Sequence, residues 1–252
     1  MHPHWVFFQN FSMLSIVIPA FNEAGRLPNT LDAYLRTFPA STEFIIVPNG
    51  CTDDTVALAQ QYQQRHPNVR VEVIPEAVGK AVAVRRGLAL AQGDQVAYLD
   101  ADGSTSPTEF QRLLAVLGTA DGVAASRWAT GAVVQNRGFA RTVASLAFAL
   151  IVKLLFWLPY RDTQCGAKVF TRTLLQRLLP AARVKNMAFD VELLLLARRA
   201  NARIVEWPTY WVDRARSAGL GSSAKLFRTS LRMLGTLFSL RLRFLPFIAP
   251  HV

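Results

Sequence analysis

The sequence predicts an α/β fold built on an open, mainly parallel sheet flanked by helices. Short runs of aliphatic and β-branched residues alternate with segments of helical periodicity throughout the first half of the chain, as parallel strands joined by crossover helices require. The 252 residues are 51% hydrophobic and 18% charged. This composition is typical of a globular protein with a sizeable core and excludes disordered and collagen-like classes.

Strands and helices are expected to alternate along the first half. The expected strands are residues 14–18, 44–47, 69–74, 95–99 and 122–125, and the expected helices are residues 24–37, 53–65, 80–91 and 107–117. Ligands of open α/β sheets bind beyond the carboxyl ends of the strands, so the polar residues there should converge on one crevice. These residues are Asn22, Glu23, Asn49, Asp100, Asp102, Ser126 and Arg127.

The second half of the chain loses this alternation. Its apolar stretch, residues 142–160, is interrupted by Lys153, which favours a buried or membrane-interface helix over a membrane span. Basic and apolar residues recur at helical spacing over residues 223–243, as in a helix at a membrane surface or one packed on the domain. The other expected elements are a strand at 167–170, a helix at 189–200 and a strand at 203–211.

Positive charge is concentrated in this second half. The net charge is +11, yet residues 1–126 carry 8 Lys and Arg against 12 Asp and Glu, whereas the remainder carries 20 against 5. Such a basic half should attract phosphate groups of a lipid, a substrate or a nucleic acid. The two cysteines, Cys51 and Cys165, indicate a reducing compartment without disulfides, and we expect Cys165 to be structural.

The strongest local signal is the run Asp100-Ala101-Asp102 at the end of an apolar strand. Where the strand ends and turns, two carboxylates one residue apart can reach the same cation, and their hard oxygen atoms select Mg²⁺ or Mn²⁺. Such a metal would neutralise a leaving diphosphate. Two acidic residues alone are more often a solvated turn than a metal site, so the interpretation depends on the surrounding motifs.

Further motifs occur in order around this pair. They are Val17-Ile18-Pro19-Ala20-Phe21-Asn22-Glu23, Val47-Pro48-Asn49-Gly50-Cys51-Thr52-Asp53, Gly79-Lys80-Ala81 and Ala125-Ser126-Arg127. With them, the chain resembles the family 2 inverting glycosyltransferases of the GT-A nucleotide-sugar fold. Residues 161–170 and 189–193 resemble the polyprenyl-phosphate hexosyltransferase branch, especially the dolichyl-phosphate β-glucosyltransferases. The resemblance covers about residues 13–215.

The resemblance implies a donor site with a divalent metal. Asp100 and Asp102 would hold Mg²⁺ or Mn²⁺ on the diphosphate, Asn49 would face the base, and Lys80 would approach the base or the diphosphate. Two positions depart from the family pattern: Asn49 follows Pro48 where a pair of aspartates is usual, and Ala81 replaces a frequent glycine. The full set implied for the donor is Pro19, Ala20, Asn22, Glu23, Asn49, Lys80, Asp100 and Asp102.

The acceptor decides the mechanism. A hydroxyl acceptor needs a general base, whereas a phosphate monoester is already an anion at pH 7 and needs cations to hold it. The candidate cations are Arg127, Arg137, Arg141, Lys168, Arg214 and Arg216, and we predict that Arg127, Arg137, Arg141 and Arg214 hold the acceptor phosphate. The expected catalytic residues are Asp102, Asp190 and Arg127. Whether Asp190 acts as a base or orients the sugar is left open, and Glu192 beside it has no assigned role.

The predicted function is inverting transfer of a hexose to a polyprenyl phosphate by an enzyme bound peripherally at the cytoplasmic face of the membrane. Glucose from UDP-glucose is favoured; GDP-mannose as donor and a hydroxyl as acceptor are the alternatives. A nucleic-acid-binding module and an inactive membrane scaffold are the other classes. Because the basic residues are interleaved with apolar stretches, we expect no nucleic-acid partner.

The predicted domain organisation has three parts. Residues 1–12 contain no Lys or Arg and lack a signal-peptide pattern. Because Met13 directly precedes the first expected strand, they are expected to be a mis-called start or a dispensable leader. Residues 13–222 would form the catalytic domain, in which 13–127 bind the nucleotide sugar and 128–222 the acceptor, with an amphipathic helix at about 139–158. A basic amphipathic helix would occupy 223–252.

Overall fold

The computed structural model describes residues 13–214 and 223–248. Strands β1 to β5 are Leu14–Ala20, Glu43–Pro48, Val69–Val71, Gln95–Tyr98 and Gly122–Ser126, and β6 to β9 are Val133–Gln135, Lys168–Thr171, Ile204–Pro208 and Tyr210–Val212. A seven-stranded sheet has the order β3-β2-β1-β4-β7-β5-β8, and β6 pairs with β9 in a second, two-stranded sheet. The expected leader, residue 216 and the boundary at 222 lie outside the described residues.

The helices complete the predicted alternation. Helices α1 to α4 are Leu27–Thr37, Thr55–Arg65, Lys80–Leu90 and Pro107–Leu117, and α5 to α8 are Phe139–Phe156, Arg172–Leu178, Phe189–Arg199 and Ser223–Ile248, with a 3-10 turn at Leu179–Ala181 after α6. Helix α4 begins where it was predicted to begin because the Ser106 side chain caps the backbone N–H of Glu109. Helix α1 begins three residues later than expected, since residues 24–26 form a turn before it.

The large sheet is mainly parallel, as predicted, with one reversed strand. Strand β1 pairs in parallel with β2 and β4, whereas β7 runs antiparallel to both β4 and β5. The reversal places the beginning of β7 beside the carboxyl end of β4, and Lys168 pairs in register with Tyr98. Residues just before β7 are thereby brought to the edge where ligands of parallel sheets bind.

One expected strand is divided in two. Residues 203–211 were predicted as a single strand, but β8 pairs with β5 in the large sheet and β9 pairs with β6 in the small one. Thr209 lies between them, and its backbone N–H donates to Ser126 while its carbonyl accepts from Val133. The prediction of one continuous strand is therefore wrong, because the chain changes sheets at Thr209.

The core consists of two hydrophobic layers, one on each side of the sheet. Ile16 and Ile18 pack toward α1 and α4, whereas Val17 packs toward α3 and the C-terminal helices. This alternation follows from the opposite directions of successive side chains on a strand. Burial on both faces explains why these strands read as continuous apolar runs in the sequence.

Helices α5 and α8 pack on each other and leave apolar side chains exposed. By length and composition, α5 is the one helix in the described part of the chain that would suffice to cross a membrane, and 11% of it is buried. The large exposed apolar side chains on α5 and directly after it are Phe139, Val143, Leu146, Leu150, Leu154 and Trp157, and those on α8 are Phe238, Leu242 and Leu245. We call these nine residues the apolar face.

The close packing of α3 on β1 predicts a costly substitution at Gly87. A Cβ atom placed on Gly87 would lie 2.2 Å from Cγ1 of Val17 and 3.1 Å from Cγ2 of Val47. Overpacking costs about 1–3 kcal/mol, whereas Ala stabilises a helix by roughly 1 kcal/mol relative to Gly. Because the packing cost is the larger of the two, Gly87→Ala should lower the free energy of unfolding. Urea unfolding measures this change. Gly25→Ala is the control, since a Cβ there meets nothing within 4 Å; an equal effect at both positions would contradict the packing.

Candidate active site

A cavity of about 400 Å³ opens at the carboxyl ends of β1, β2 and β4. The topology brings three predicted motifs together here, because these strands are neighbours in the sheet. The lining residues are Pro19, Ala20, Phe21, Glu23, Asn49, Ala77, Gly79, Lys80, Asp100, Ala101 and Asp102. Seven of the eight residues predicted for the donor therefore line one cavity, which we call the donor cavity.

Asn22, the eighth, lies beside this cavity and joins two loops. Its Oδ1 accepts a hydrogen bond of 2.8 Å from the backbone N–H of Thr52, and its Nδ2 donates to the Thr52 hydroxyl at 3.2 Å. The backbone of Asn22 is left-handed, with φ of 54°, a conformation that Asn tolerates better than most residues. In this structure Asn22 fixes the loop after β1 against the loop after β2.

Asn49 uses both ends of its amide within the protein. Nδ2 donates to the Ala20 carbonyl at 3.0 Å, and Oδ1 accepts from the backbone N–H of Gly79 at 3.1 Å. A carboxylate could make the second of these bonds but not the first, because it has no donor. The departure from the family's acidic pair thus has a physical role, since the amide ties β1 to the turn that begins α3.

Lys80 and the two aspartates form the charged wall of the donor cavity. The Lys80 ammonium is in direct contact with the Asp100 carboxylate, and Oδ1 of Asp102 accepts a 2.9 Å bond from the backbone N–H of Ser104. Burial raises the pKa of Asp100, Lys80 opposes this effect, and the charge of Asp102 adds to it. Burial lowers the pKa of Lys80, but Asp100 and then Asp190 outweigh burial and raise it.

The donor set fits a hard divalent cation. Within the described residues, no group of three or more His, Cys, Asp or Glu side chains is arranged to hold a metal. Mg²⁺, however, is commonly held by one or two carboxylates while substrate phosphates and water supply its other ligands. Asp100 and Asp102 together carry two negative charges against the single ammonium of Lys80, so a divalent cation would reverse the net charge of this wall and let it face a diphosphate.

Gly166 makes room for Asp100. A Cβ atom on Gly166 would lie 1.9 Å from Oδ2 of Asp100, so the loop before β7 can approach the carboxylate only without a side chain at this position. The pattern of residues around Asp100 gave no reason to predict this contact, because it depends on the reversed direction of β7.

Asp190, at the start of α7, is held in a buried polar cluster. Its Oδ1 accepts a 2.7 Å bond from Nζ of Lys168 and a second bond from the Tyr98 hydroxyl. Nζ of Lys168 also donates to the Cys165 carbonyl at 2.7 Å. Lys168 is fully buried and so positions Asp190 rather than reaching a bound phosphate, which corrects its place among the candidate cations. Sequence reasoning did not identify Tyr98, which reads as an ordinary apolar strand residue.

Two other motif residues are structural. Cys165 is fully buried, and burial raises the pKa of its thiol to about 12, in keeping with the structural role expected for it. Glu192 is also fully buried, and its carboxylate accepts the backbone N–H groups of Arg183 and Val184 together with Nη1 of Arg243. Glu192 therefore fixes the loop before α7 to helix α8.

Arg127 is buried in a bidentate ion pair. Its Nε and Nη2 donate to the Asp162 carboxylate at 2.7 and 2.9 Å, and its backbone N–H donates there as well. Burial alone would lower the pKa of Arg127, but the bonds and charge of Asp162 outweigh it and raise that pKa. The same pairing holds the pKa of Asp162 below its ordinary value despite burial. Two nitrogens of the Arg127 guanidinium, Nε and Nη2, are thus already bonded to Asp162 and are not available to the predicted acceptor phosphate.

Arg137 is a partly buried cation without a close ion pair: its Nη2 donates a 3.4 Å bond to the Arg141 carbonyl, and its guanidinium lies over the Trp128 ring. Its side chain is 10% exposed and its Nη1 lies 4.0 Å from Asp213, which Arg141 binds at 2.7 Å. Its Nε is buried and has no hydrogen-bond partner among the described residues. Burial, followed by the repulsion of Arg127, lowers the pKa of Arg137. Arg127, Arg137 and Arg141 therefore form one cluster of positive charge, and their role in holding an acceptor phosphate stays a prediction.

Arg214 lies beside the turn that follows Asp102. A Cβ atom on Gly103 would lie 3.2 Å from Nη1 of Arg214, which places this guanidinium beside the turn that follows Asp102. The Arg214 carbonyl accepts a 3.0 Å bond from Arg26. Arg214 is thus held near the loop that follows β4, and the charge of Asp100 acts on Arg127.

Comparison with known proteins identifies relatives over most of the chain. The family description "Glycosyl transferase family 2" matches residues 15–179. Dolichyl-phosphate beta-glucosyltransferase of Drosophila melanogaster is 36% identical over 92% of this chain and 75% of its own length. The human dolichyl-phosphate beta-glucosyltransferase is 32% identical over 92% of this chain and 76% of its own length. The predicted resemblance to this branch is confirmed.

Solved structures show the same fold. Glucosyl-3-phosphoglycerate synthase from Mycobacterium tuberculosis, crystallised with Mn²⁺, UDP and glucosyl-3-phosphoglycerate, has a TM-score of 0.67 at 21% identity and covers 90% of this chain and 79% of its own. A mannosyltransferase from Pyrobaculum calidifontis with GDP-Man and Mn²⁺ has a TM-score of 0.59 at 18% identity, covering 91% and 64%. The expected GT-A fold is therefore confirmed.

The Arg127–Asp162 pair predicts a pH-dependent loss of stability. Asp162→Asn should lower the free energy of unfolding at pH 7 by about 3–5 kcal/mol, because it leaves a buried guanidinium without its counter-charge. The folded-state pKa of Asp162 is depressed, so the pair contributes fully above the ordinary Asp pKa of about 3.9 and loses its contribution as pH falls through the folded value.

Urea unfolding from pH 7 downward checks this prediction. The difference between wild type and Asp162→Asn should stay constant to about pH 5 and then shrink. Asp94→Asn, at an exposed position, is the control and should change little. A difference that grows on acidification would contradict the assigned pair.

Proposed function

This chain belongs to glycosyl transferase family 2, and we propose that it transfers glucose from UDP-glucose to a polyprenyl phosphate with inversion at the anomeric carbon. The acceptor phosphate oxygen attacks that carbon from the face opposite UDP, a new C–O bond forms, and the bond to the β-phosphate breaks with its electron pair leaving on UDP. The observation that carries this proposal is Arg137, whose buried Nε has no hydrogen-bond partner among the described residues and whose Nη1 lies 4.0 Å from Asp213. Support for the class of substrates comes from the names of the relatives.

The donor would bind in the donor cavity. Pro19, Ala20 and Glu23 would line the nucleoside, with Asn49 near the base, Asn22 at the rim and Lys80 toward the diphosphate. Glu23 is salt-bridged to Arg26 at 2.6 Å, which fixes the direction of its carboxylate at the wall. A neighbour crystallised with UDP supports a uridine donor, whereas another neighbour holds GDP-Man; GDP-mannose therefore stays the alternative donor.

Mg²⁺ or Mn²⁺ would be held by Asp100 and Asp102. When bound, the metal supplies positive charge that stabilises the leaving diphosphate. Lys80 contributes a fixed ammonium in contact with Asp100, and Gly166 keeps that carboxylate accessible to the cavity by removing a side chain from its path. Two neighbouring structures containing Mn²⁺ support this assignment.

The acceptor phosphate would bind at the arginine cluster. Arg137 has lost water around its guanidinium, is repelled by Arg127 and faces Asp213 only at 4.0 Å, so a phosphate dianion would supply the missing negative charge. Arg141 and Arg214 would complete the site from its two sides. Arg127 would then act mainly as the fixed charge that shapes the site, since Asp162 engages it.

Asp190 supports a second candidate, a hydroxyl acceptor. Its Oδ1 accepts hydrogen bonds from Lys168 and Tyr98, which hold the carboxylate in one orientation. A general base must be held in this way beside the hydroxyl that it deprotonates. With a phosphate acceptor no base is required, and Asp190 would instead orient the sugar. Transfer to a hydroxyl would therefore depend on Asp190, whereas transfer to a phosphate would depend on the arginines.

The membrane would be contacted through the apolar face of α5 and α8. Exposed fractions of 83% for Phe139, 66% for Leu154 and 70% for Leu242 leave a broad hydrophobic surface in water, and such patches mark interaction sites. Relatives named for a dolichyl-phosphate substrate support a lipid acceptor. We propose peripheral attachment at the cytoplasmic face, where nucleotide sugars are available, and no nucleic-acid partner.

Removal of the acidic pair should abolish transfer. Asp100→Asn and Asp102→Asn should each lower kcat/KM by about 100-fold or more, because bound metal contributes several kcal/mol to the leaving charge. Transfer is measured as glycolipid formed from UDP-glucose and short-chain polyprenyl phosphate with Mn²⁺. Asp94→Asn removes an exposed carboxylate elsewhere and should retain activity. Wild-type activity of the Asp100→Asn, Asp102→Asn double variant would contradict the proposed metal site.

The acceptor is distinguished by comparing Arg214→Ala with Asp190→Asn. For a phosphate acceptor, Arg214→Ala should raise the acceptor KM about 10-fold or more, as expected for loss of a charge-assisted contact of about 1.5–3 kcal/mol, while binding of UDP changes little. Asp190→Asn should then be the milder variant in transfer. UDP binding by calorimetry verifies that each variant is folded. The opposite order, with Asp190→Asn inactive and Arg214→Ala normal, would favour the hydroxyl acceptor.

A further inference from the structure

A second groove lies between α8 and the loop before α7, apart from the proposed donor and acceptor residues. Its volume is about 780 Å³. The lining residues are Arg183, Val184, Lys185, Asn186, Arg232, Gly235, Thr236, Ser239, Leu240 and Arg243. None of them belongs to the motifs quoted for the donor or the acceptor, so the transferase chemistry leaves this groove unexplained.

The groove carries uncompensated positive charge. Arg243 is neutralised by the buried carboxylate of Glu192, with Nη1 2.6 Å from Oε1. Arg183, Lys185 and Arg232 are exposed and form no ion pair with the described residues. Glu192 is already saturated by two backbone N–H groups and Arg243. Three cations thus surround one concave surface, and no acidic side chain among the described lining residues is left to balance them. The ligand that fits is an anion.

The walls of the groove are fixed. Nδ2 of Asn186 donates to the Thr236 hydroxyl at 2.7 Å, which joins the loop to α8. The Thr236 hydroxyl donates in turn to the Arg232 carbonyl at 2.9 Å. Glu192 and Arg243 make a second connection between the same two elements. The spacing of the cations is therefore set by two links across the groove.

The setting of the groove identifies the anion as amphiphilic. The same helix α8 exposes Phe238, Leu242 and Leu245 on another side, and α5, with its own exposed apolar side chains, packs against α8. A soluble anion would use the cations but gain nothing from the apolar face. A membrane phospholipid can place its phosphate among cations while the surrounding bilayer covers the apolar side chains.

We propose that this groove binds the phosphate headgroup of an anionic membrane phospholipid, at a site distinct from the acceptor phosphate. The site would fix the rotation of α8 on the membrane surface and, through the loop that contains Lys185, the position of the donor cavity. The Lys185 carbonyl lies 3.7 Å from a Cβ placed on Gly79, at the start of α3. This proposal rests on the membrane attachment given above but not on the identity of sugar or acceptor.

Vesicle flotation with the full chain tests the site. Wild type should bind phosphatidylcholine vesicles that contain phosphatidylglycerol more tightly than vesicles of phosphatidylcholine alone. The Arg183→Ala, Arg232→Ala double variant should bind the anionic vesicles about 25-fold more weakly, as expected for two cations at a membrane surface. The Arg36→Ala, Arg70→Ala variant removes the same charge from exposed positions on the opposite half and should bind as wild type. Equal loss in both double variants would overturn the proposal.

A soluble probe separates a headgroup site from general attraction. Dihexanoyl phosphatidylglycerol, kept below its micelle concentration, should bind wild type saturably in calorimetry, and Lys185→Ala should weaken this binding. Glycerol phosphate, which has the charge but no tails, should bind at least 10-fold more weakly. Equal affinity for glycerol phosphate would assign the groove to a free phosphate, and displacement of the lipid by single-stranded RNA would assign it to nucleic acid; both results overturn the proposal.

A transfer assay in detergent keeps this proposal separate from the proposed function. The Arg183→Ala, Arg232→Ala variant should retain wild-type transfer to short-chain polyprenyl phosphate in detergent, where vesicle binding is not required. If wild type itself forms no glycolipid, the proposed function is contradicted. The vesicle experiment still shows whether the groove binds an anionic phospholipid. Loss of transfer in detergent by this variant alone would place the groove in the acceptor site and overturn the separate headgroup site.

Discussion

The balance of fixed charge at one edge of the sheet is the constraint on which the rest of the site depends. Asp100 and Asp102 face a single ammonium from Lys80, while the neighbouring arginines outnumber their carboxylate partners, Asp162 and Asp213. Because the site is partly buried, water screens neither of these charge imbalances effectively. A divalent metal ion on the acidic side and a phosphate on the basic side would each supply charge of the missing sign.

The reversed strand β7 is what brings the two sides together. In a wholly parallel sheet, the loop before β7 would lie at the opposite edge from Asp100. Because β7 runs antiparallel to β4, Gly166 packs against Asp100 and Lys168 enters the core beside Tyr98. The buried lysine then anchors Asp190 at the start of α7, so a change of strand direction determines how the second half of the chain packs on the first.

Much of this arrangement could be predicted from the sequence, because periodicity identifies strands and the topology of parallel sheets places their carboxyl ends together. That reasoning located Glu23, Asn49 and Asp100 in one cavity. It failed where contacts depend on long-range pairing: the division of the 203–211 strand, and the pairing of Lys168 with Asp190. The bidentate Arg127–Asp162 pair was also missed, since residues 35 positions apart in the chain carry no local signal of contact.

Product analysis tests the central claim most directly. The purified chain is incubated with Mn²⁺, short-chain polyprenyl phosphate and a panel of UDP- and GDP-sugars, and the lipid fraction is analysed by mass spectrometry and by NMR of the anomeric proton. The proposed function predicts one glycolipid, a β-linked glucosyl phosphate formed from UDP-glucose. An α-linked product, or sugar attached only to hydroxyl acceptors offered in the same mixture, would contradict the account.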